Sequence, residues 1–296
     1  MNPILKWLGT KGKDRMAEII STEAANHPVP DDIEILADLT YAGADGTSLA
    51  ADVYRPKNAT SFPLPIAVFV HGGGLFVGDR KSYRAYAEVL AQRGYVVLVP
   101  DYRLISEADG LCEIGDVCAS LAYLKARASE FGGDESRVLM IGESAGAFLA
   151  LYATALCDSP QLRTALGIEA PELRVRGFAC FGGMFYTTRN DAIGLTYRRD
   201  LYGERLQDKA FMELMNPEDP RVESCLPPVL NVTSGADFLK SYTLRYNQAL
   251  TMAGHDHRLI YYPNGKNLTH AFPSLQPGLS QSREVLEELD TWFKRL

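Results

Sequence analysis

Short apolar runs alternate along this chain with longer stretches in which apolar residues recur every three or four positions. The runs at 66–70, 95–100 and 138–141 are unbroken by any polar residue, which is how a strand covered on both faces reads. Shorter strand-like runs follow at 177–181, 229–233 and 259–262. Helical periodicity predicts an amphipathic helix over 82–93, capped by Ser82 and stopped by Gly94. Further helices are expected at 114–128, 147–156 and 241–253, with a closing helix at 280–296. Upstream, 33–41 and 49–54 flank Gly43-Ala44-Asp45-Gly46 and read as a hairpin. Residues 56–65 form a loop with three prolines. Residues 14–37 read as helical and then loop-like: Met16, Ile19 and Ile20 give a modest apolar face, and His27-Pro28-Val29-Pro30 breaks it.

Strands alternating with helices predict a single α/β domain over 1–296, with a mostly parallel central sheet covered on both faces. In such sheets ligands bind at the carboxyl ends of the strands. A chain of 296 residues, 46% hydrophobic and 23% charged, can bury a sizeable core unaided. A net charge of −7 with no basic stripe excludes nucleic acid as a partner. No run approaches the roughly 20 apolar residues of a membrane span. The apolar patch within residues 1–10 is interrupted by Lys6 and lacks the core of a signal peptide. Without such a signal, the sequons at Asn58, Asn231 and Asn267 read as chance matches. Cys112, Cys118, Cys157, Cys180 and Cys225 are scattered, with no Cys-x-x-Cys pair. They read as free thiols in a reducing, cytoplasmic setting rather than as metal or redox centres.

The chemistry concentrates where strands end. Gly142-Glu143-Ser144-Ala145-Gly146 follows the strand at 138–141 and opens the next helix. Glycines around a serine there permit a sharp turn that lifts the hydroxyl clear of the sheet. The helix N-terminus favours negative charge developing at that point. The plain alternative is a glycine-rich turn with a satisfied serine. His71-Gly72-Gly73-Gly74 follows the strand at 66–70 and leaves backbone N–H groups unshielded. Acyl transfer needs such donors for the oxyanion of its tetrahedral intermediate; Gly73, Gly74 and Ala145 are the candidates. A merely flexible loop would not repay the entropy of ordering three glycines.

A serine nucleophile needs a base. His27 stands just before the prolines at 28 and 30 and precedes the sheet, His71 belongs to the glycine loop, and His255 and His257 precede a strand at its amino end. His270 follows the strand at 259–262 through a loop and is the candidate. Asp237, after the strand at 229–233, fits as the carboxylate that holds its tautomer. Asp191, Asp200, Asp208 and Asp219 follow no strand and read as solvated.

The order Ser144, Asp237, His270 is that of the α/β-hydrolases. Together with His71–Gly74, Asp101-Tyr102-Arg103, Gly142–Gly146 and His270-Ala271-Phe272, it resembles the hormone-sensitive-lipase-like carboxylesterases, from 66 to the C-terminus. The resemblance implies a Ser144–Asp237–His270 triad, an oxyanion hole at Gly73, Gly74 and Ala145, and a structural pair of Asp101 with Arg103. It also implies a small helical cap drawn from 1–32 and 184–222. The second segment is rich in large side chains, among them Met184, Phe185, Tyr186, Tyr197, Tyr202, Phe211, Met212 and Met215. They either line a lid or pack the insertion onto the core. The chain departs from the family with Phe238 where proline is usual and Glu143 where aspartate is common. It also lacks the proline-rich continuation after Leu104.

The expected activity is hydrolysis of short-chain carboxylic esters through an acyl-enzyme, with no metal or organic cofactor. The partner is a small-molecule ester, and a homodimer is left open. Three other readings stay open: an acetyl or feruloyl esterase of plant polysaccharides, an amide-directed hydrolase such as an arylformamidase or peptidase, and a non-catalytic binding module on the same fold.

Overall fold

The structure, a computed structural model, describes residues 30–59, 62–108 and 110–296. The expected helix beginning at residue 14, its break at His27–Pro28–Val29 and nearly all of the 1–32 cap segment lie outside the described residues.

Strands β1 (Ile33–Ala42) and β2 (Ser48–Pro56) form the expected hairpin and pair antiparallel. Then come β3 (Leu64–Val70), helix α1 (Arg84–Gln92), β4 (Val96–Pro100) and α2 (Gly110–Phe131). Next are β5 (Gly133–Glu143), α3 (Ser144–Asp158), α4 (Pro160–Leu166) and β6 (Val175–Phe181). The insertion after β6 holds α5 (Ala192–Tyr202), α6 (Lys209–Leu214) and α7 (Pro220–Glu223). The chain closes with β7 (Val229–Ser234), α8 (Lys240–Ala253), β8 (His257–Tyr262), α9 (Phe272–Leu275) and α10 (Ser280–Phe293). One sheet of eight strands runs β1-β2-β4-β3-β5-β6-β7-β8. Only β2 against β1 and β4 is antiparallel; every other pair is parallel.

The unbroken apolar runs have a direct physical cause. Successive side chains of a strand point to opposite faces, and here both faces are covered. Ile66, Val68 and Val70 of β3 join a core with Leu121 of α2 and Phe148 of α3. Ala67 and Phe69 join a second core with Leu90 of α1 and with Leu289 and Phe293 of α10. Among the described residues no helix is long and apolar enough to cross a membrane.

Charged contacts fasten the antiparallel edge. Arg80, nearly buried, donates from Nε to Asp52 Oδ1 at 2.9 Å and pairs with Asp38 and Asp101. Its backbone N–H also donates to Asp101 Oδ1 at 2.7 Å. Arg103 instead engages Asp116, from Nε at 2.8 Å and Nη2 at 2.8 Å, and Asp45 at 2.6 Å. The expected Asp101–Arg103 pair is therefore not formed. Each residue turns to a different element: Asp101 to the segment before α1, and Arg103 to α2 and the hairpin. The cap before α1 also differs from expectation. Asp79 accepts from the Ser82 N–H at 2.8 Å and starts a 3₁₀ turn, Arg80–Tyr83, that leads into the helix. Ser82 lies inside that turn as the donor, and its hydroxyl also donates to Asp79 Oδ1 at 2.7 Å.

Removing Arg80 leaves the buried Asp52 carboxylate without its cation. Arg80→Ala is expected to cost about 3–5 kcal/mol in urea unfolding. Lys81→Ala, which removes an exposed partner of Asp38, should leave the urea midpoint almost unchanged, since solvent screens such a pair.

Candidate active site

The turn from β5 into α3 carries Ser144 at φ +52°, a region that a residue with a Cβ rarely occupies. Its neighbours show why they are glycines. A Cβ on Gly142 would lie 2.5 Å from Ala147 Cα, and one on Gly146 would overlap the carbonyl oxygens of Val70 and His71. The elbow is thus pressed against the end of β3, and only glycine allows that approach. Ser144 is the first residue of α3 and is 7% exposed. Ala145 follows in the first turn, where helix geometry leaves N–H groups without intrahelical partners.

Asp237 and His270 lie beyond the carboxyl ends of β7 and β8. His270 Nδ1–H donates to Asp237 Oδ1 at 2.7 Å. The same oxygen accepts the Leu239 N–H at 2.8 Å, and Oδ2 accepts the Thr233 hydroxyl at 3.0 Å. Burial alone would raise the Asp237 carboxyl, but the His270 contact and these donors outweigh it and hold the carboxyl below its ordinary value. The loop bearing His270 is tied to β7 by the Ser234 hydroxyl, which donates to the Leu268 carbonyl at 2.5 Å. His270 Nε2 is buried and has no hydrogen-bond partner among the described residues.

Gly182, at the end of β6, links this pair to the elbow. A Cβ there would sit 2.6 Å from Asp237 Oδ2 and 2.8 Å from His270 Nδ1. Two residues on, the Met184 N–H donates to the Ser144 carbonyl at 2.9 Å. The structure thus brings Ser144, Asp237 and His270 to one end of the sheet, with the Asp237–His270 bond made and the Ser144 hydroxyl not bonded to Nε2.

The glycine loop meets the elbow through Glu143. The Glu143 carboxylate is buried; Oε1 accepts the Gly72 N–H at 2.9 Å and the Tyr83 hydroxyl at 2.7 Å. Oε2 accepts the Ser274 hydroxyl at 3.1 Å, four residues beyond His270. Burial pushes this carboxyl above its ordinary value, opposed by the nearby His270 and the three donors. With the Gly72 N–H committed to Glu143, the candidate oxyanion donors in this loop are those of Gly73 and Gly74. His71 orients the loop. Its Nδ1–H donates to the Gly72 carbonyl at 2.9 Å, its own carbonyl accepts the Tyr102 hydroxyl at 2.8 Å, and its ring stacks between Tyr83 and Tyr102. Burial pushes its imidazole below the ordinary value, which favours the neutral form.

The other candidates fall elsewhere. His255 bonds Glu223 and the Pro227 carbonyl, and His257 bonds Thr251, at the amino end of β8. Asp191, Asp208 and Asp219 are N-caps of α5, α6 and α7 rather than merely solvated groups. The large residues at 184–222 are mostly buried in the core. Tyr197 reaches the loop: its hydroxyl would lie 2.7 Å from a Cβ on Gly74, and its ring packs 5.4 Å from Phe76. Sequence reasoning missed Tyr83 and Ser274 as ligands of Glu143. The signal available was Glu143 itself, a carboxylate between an apolar strand and a buried helix, which demands donors.

Residues 51–176 match the protein family described as BD-FAE. Esterase LipC of Mycobacterium tuberculosis is 33% identical over 41% of this chain and 30% of its own length. Carboxylic ester hydrolase LipN of the same organism is 29% identical over 81% of this chain and 65% of its own. The chain thus spans less than two thirds of these relatives' length. Esterase B from Lactobacillus rhamnosis, solved with a C4-C4 tributyrin phosphonate inhibitor, superposes with a TM-score of 0.86 at 23% identity, covering 98% of this chain and 95% of that one. The fold is that of the α/β-hydrolases.

Because burial raises the Glu143 carboxyl, the native state holds that proton more tightly than the unfolded chain does. This residue's contribution to stability therefore declines as pH rises from the ordinary glutamate value through the raised one. Thermal melts between about pH 4 and pH 8 should show the unaltered protein losing ground against Glu143→Gln across that window. Parallel curves for the two proteins would contradict the buried, charge-strained carboxylate.

Proposed function

We propose that this α/β-hydrolase is a serine carboxylic-ester hydrolase acting on short-chain acyl esters, with Ser144 as nucleophile, His270 as base and Asp237 as its orienting acid. The observation that carries this reading is the state of His270. One ring nitrogen is fixed by a buried carboxylate, and the other is buried without a hydrogen-bond partner among the described residues. A buried polar nitrogen left open is costly, and a reacting hydroxyl is the group that would complete it.

In this mechanism His270 Nε2 takes the Ser144 proton as the serine oxygen attacks the ester carbonyl. Backbone N–H groups of Gly73, Gly74 and Ala145 hold the oxyanion, each worth about 2.7–4 kcal/mol in the transition state. The alcohol leaves with the proton from His270, and water, activated by the same imidazole, releases the acid. Asp237 is ionised throughout, since its carboxyl is held low by the contacts described above. The 184–222 insertion serves as a lid, a reading supported by Tyr197 beside Gly74. Short acyl groups fit the small extent of that insertion, and the tributyrin phosphonate held by Esterase B supports the same preference. Five cysteines outside any disulfide support a reducing, cytoplasmic setting.

Ser144→Ala should abolish turnover of p-nitrophenyl acetate and labelling by a fluorophosphonate probe while the thermal melt is retained. Residual turnover at the unaltered rate would remove Ser144 from the mechanism. Across p-nitrophenyl esters from acetyl to decanoyl, kcat/KM should peak at the short end; a steady rise toward decanoyl would overturn the short-chain preference.

A further inference from the structure

The turn that delivers Asp237 also carries an aromatic ring to the outer side of His270. Asp237 and Leu239 are buried, and the Leu239 N–H bonds Asp237 Oδ1, so the backbone on both sides of Phe238 is fixed. The Phe238 side chain is left 69% exposed. A single exposed phenyl ring is ordinary; the position of this one is not. Its centroid lies 4.2 Å from that of the His270 imidazole, with the planes tilted by 44°. The ring contacts the base on one side and offers the rest of its surface to whatever approaches that base.

The chemistry of the ester-hydrolase reading, on which this inference rests, says what approaches. The tetrahedral adduct collapses by breaking the bond from the carbonyl carbon to the alcohol oxygen. The electron pair goes to that oxygen, which receives the proton His270 took from Ser144. The alcohol part of the ester must therefore lie within hydrogen-bond reach of His270 Nε2, while the acyl carbonyl is held by Ser144 and the glycine-loop donors. The substrate group that meets Phe238 is the alcohol's substituent.

We propose that Phe238 is a specificity-determining residue that selects esters of aromatic alcohols by packing against the leaving group. The ring already packs against the His270 imidazole on a fixed backbone, so stacking a second ring on it costs little further freedom. Aromatic pairs gain from offset or tilted contact beyond their buried area.

The test compares benzyl acetate with ethyl acetate, which share the acyl group and differ in the alcohol. Phe238→Ala should lose about tenfold in kcat/KM on benzyl acetate, mainly through KM, and change by less than about twofold on ethyl acetate. Phe238→Trp should restore the benzyl preference. Equal losses on both esters would mean that Phe238 acts only by steadying His270, and unchanged benzyl acetate turnover would mean that it does not meet the leaving group; either result overturns the proposal. If the unaltered protein hydrolyses neither ester and takes no fluorophosphonate label, the ester-hydrolase reading falls first and this proposal with it.

Discussion

One buried carboxylate joins the parts of this site. Glu143 ends β5, and its side chain accepts from the glycine loop at Gly72, from Tyr83 before α1, and from Ser274 beyond His270. Gly72 and Tyr83 both follow β3, whereas Ser274 lies beyond β8, at the other end of the sheet order from β3. Each could drift on its own, since loops carry less packing than the strands they leave. A charge in a dry environment is tolerated only while its donors stay in place, so the cost of exposing Glu143 to an empty neighbourhood holds all three segments at once. The elbow adjoining Glu143 is then fixed relative to both the candidate oxyanion donors and the candidate base.

The sheet supplies the framework on which that contact can form. β3, β5, β6, β7 and β8 run parallel and lie side by side, so their carboxyl ends, and the loops that follow, share one edge. Close backbone approach does the rest. Gly146 lets the elbow touch the end of β3, and Gly182 lets β6 touch both Asp237 and His270. A methyl group at either position would separate elements that the chemistry needs together. Burial and hydrogen bonding oppose each other at both acids, with different results: Asp237 ends below its ordinary value, whereas Glu143 ends above it. Asp237 is thus the more firmly ionised of the two.

The region after β6 behaves differently. Its helices are capped by Asp191, Asp208 and Asp219, and its aromatic residues mostly sink into the core rather than face the site. The Tyr152 hydroxyl of α3 donates to the Leu214 carbonyl of α6 at 3.0 Å, so the insertion is seated on the helix that begins at Ser144. An insertion anchored in this way can bring the Tyr197 hydroxyl against Gly74 while remaining part of the packed domain. Beside His270 lies the ring of Phe238, 4.2 Å from the imidazole between centroids.

Local sequence was enough for the strands and for the turn at Ser144, though not for the cap before α1. Unbroken runs such as Val96–Pro100 announced strands covered on both faces, because only double burial removes the polar alternation. The Gly142–Gly146 pentapeptide announced a tight turn, because that turn tolerates no Cβ at its flanks. The positions of Asp237 and His270 just after strands followed from the same alternation. The partners of charged side chains were not legible. Asp101 and Arg103, two residues apart, diverge to Arg80 and to Asp116. Tyr83 and Ser274 converge on Glu143 from 60 and 131 residues away. Strand and turn signals are written in neighbouring residues, whose conformations depend on one another. Which donor satisfies a buried charge depends on which chain segments the finished sheet brings within 3 Å, and only the tertiary structure decides that.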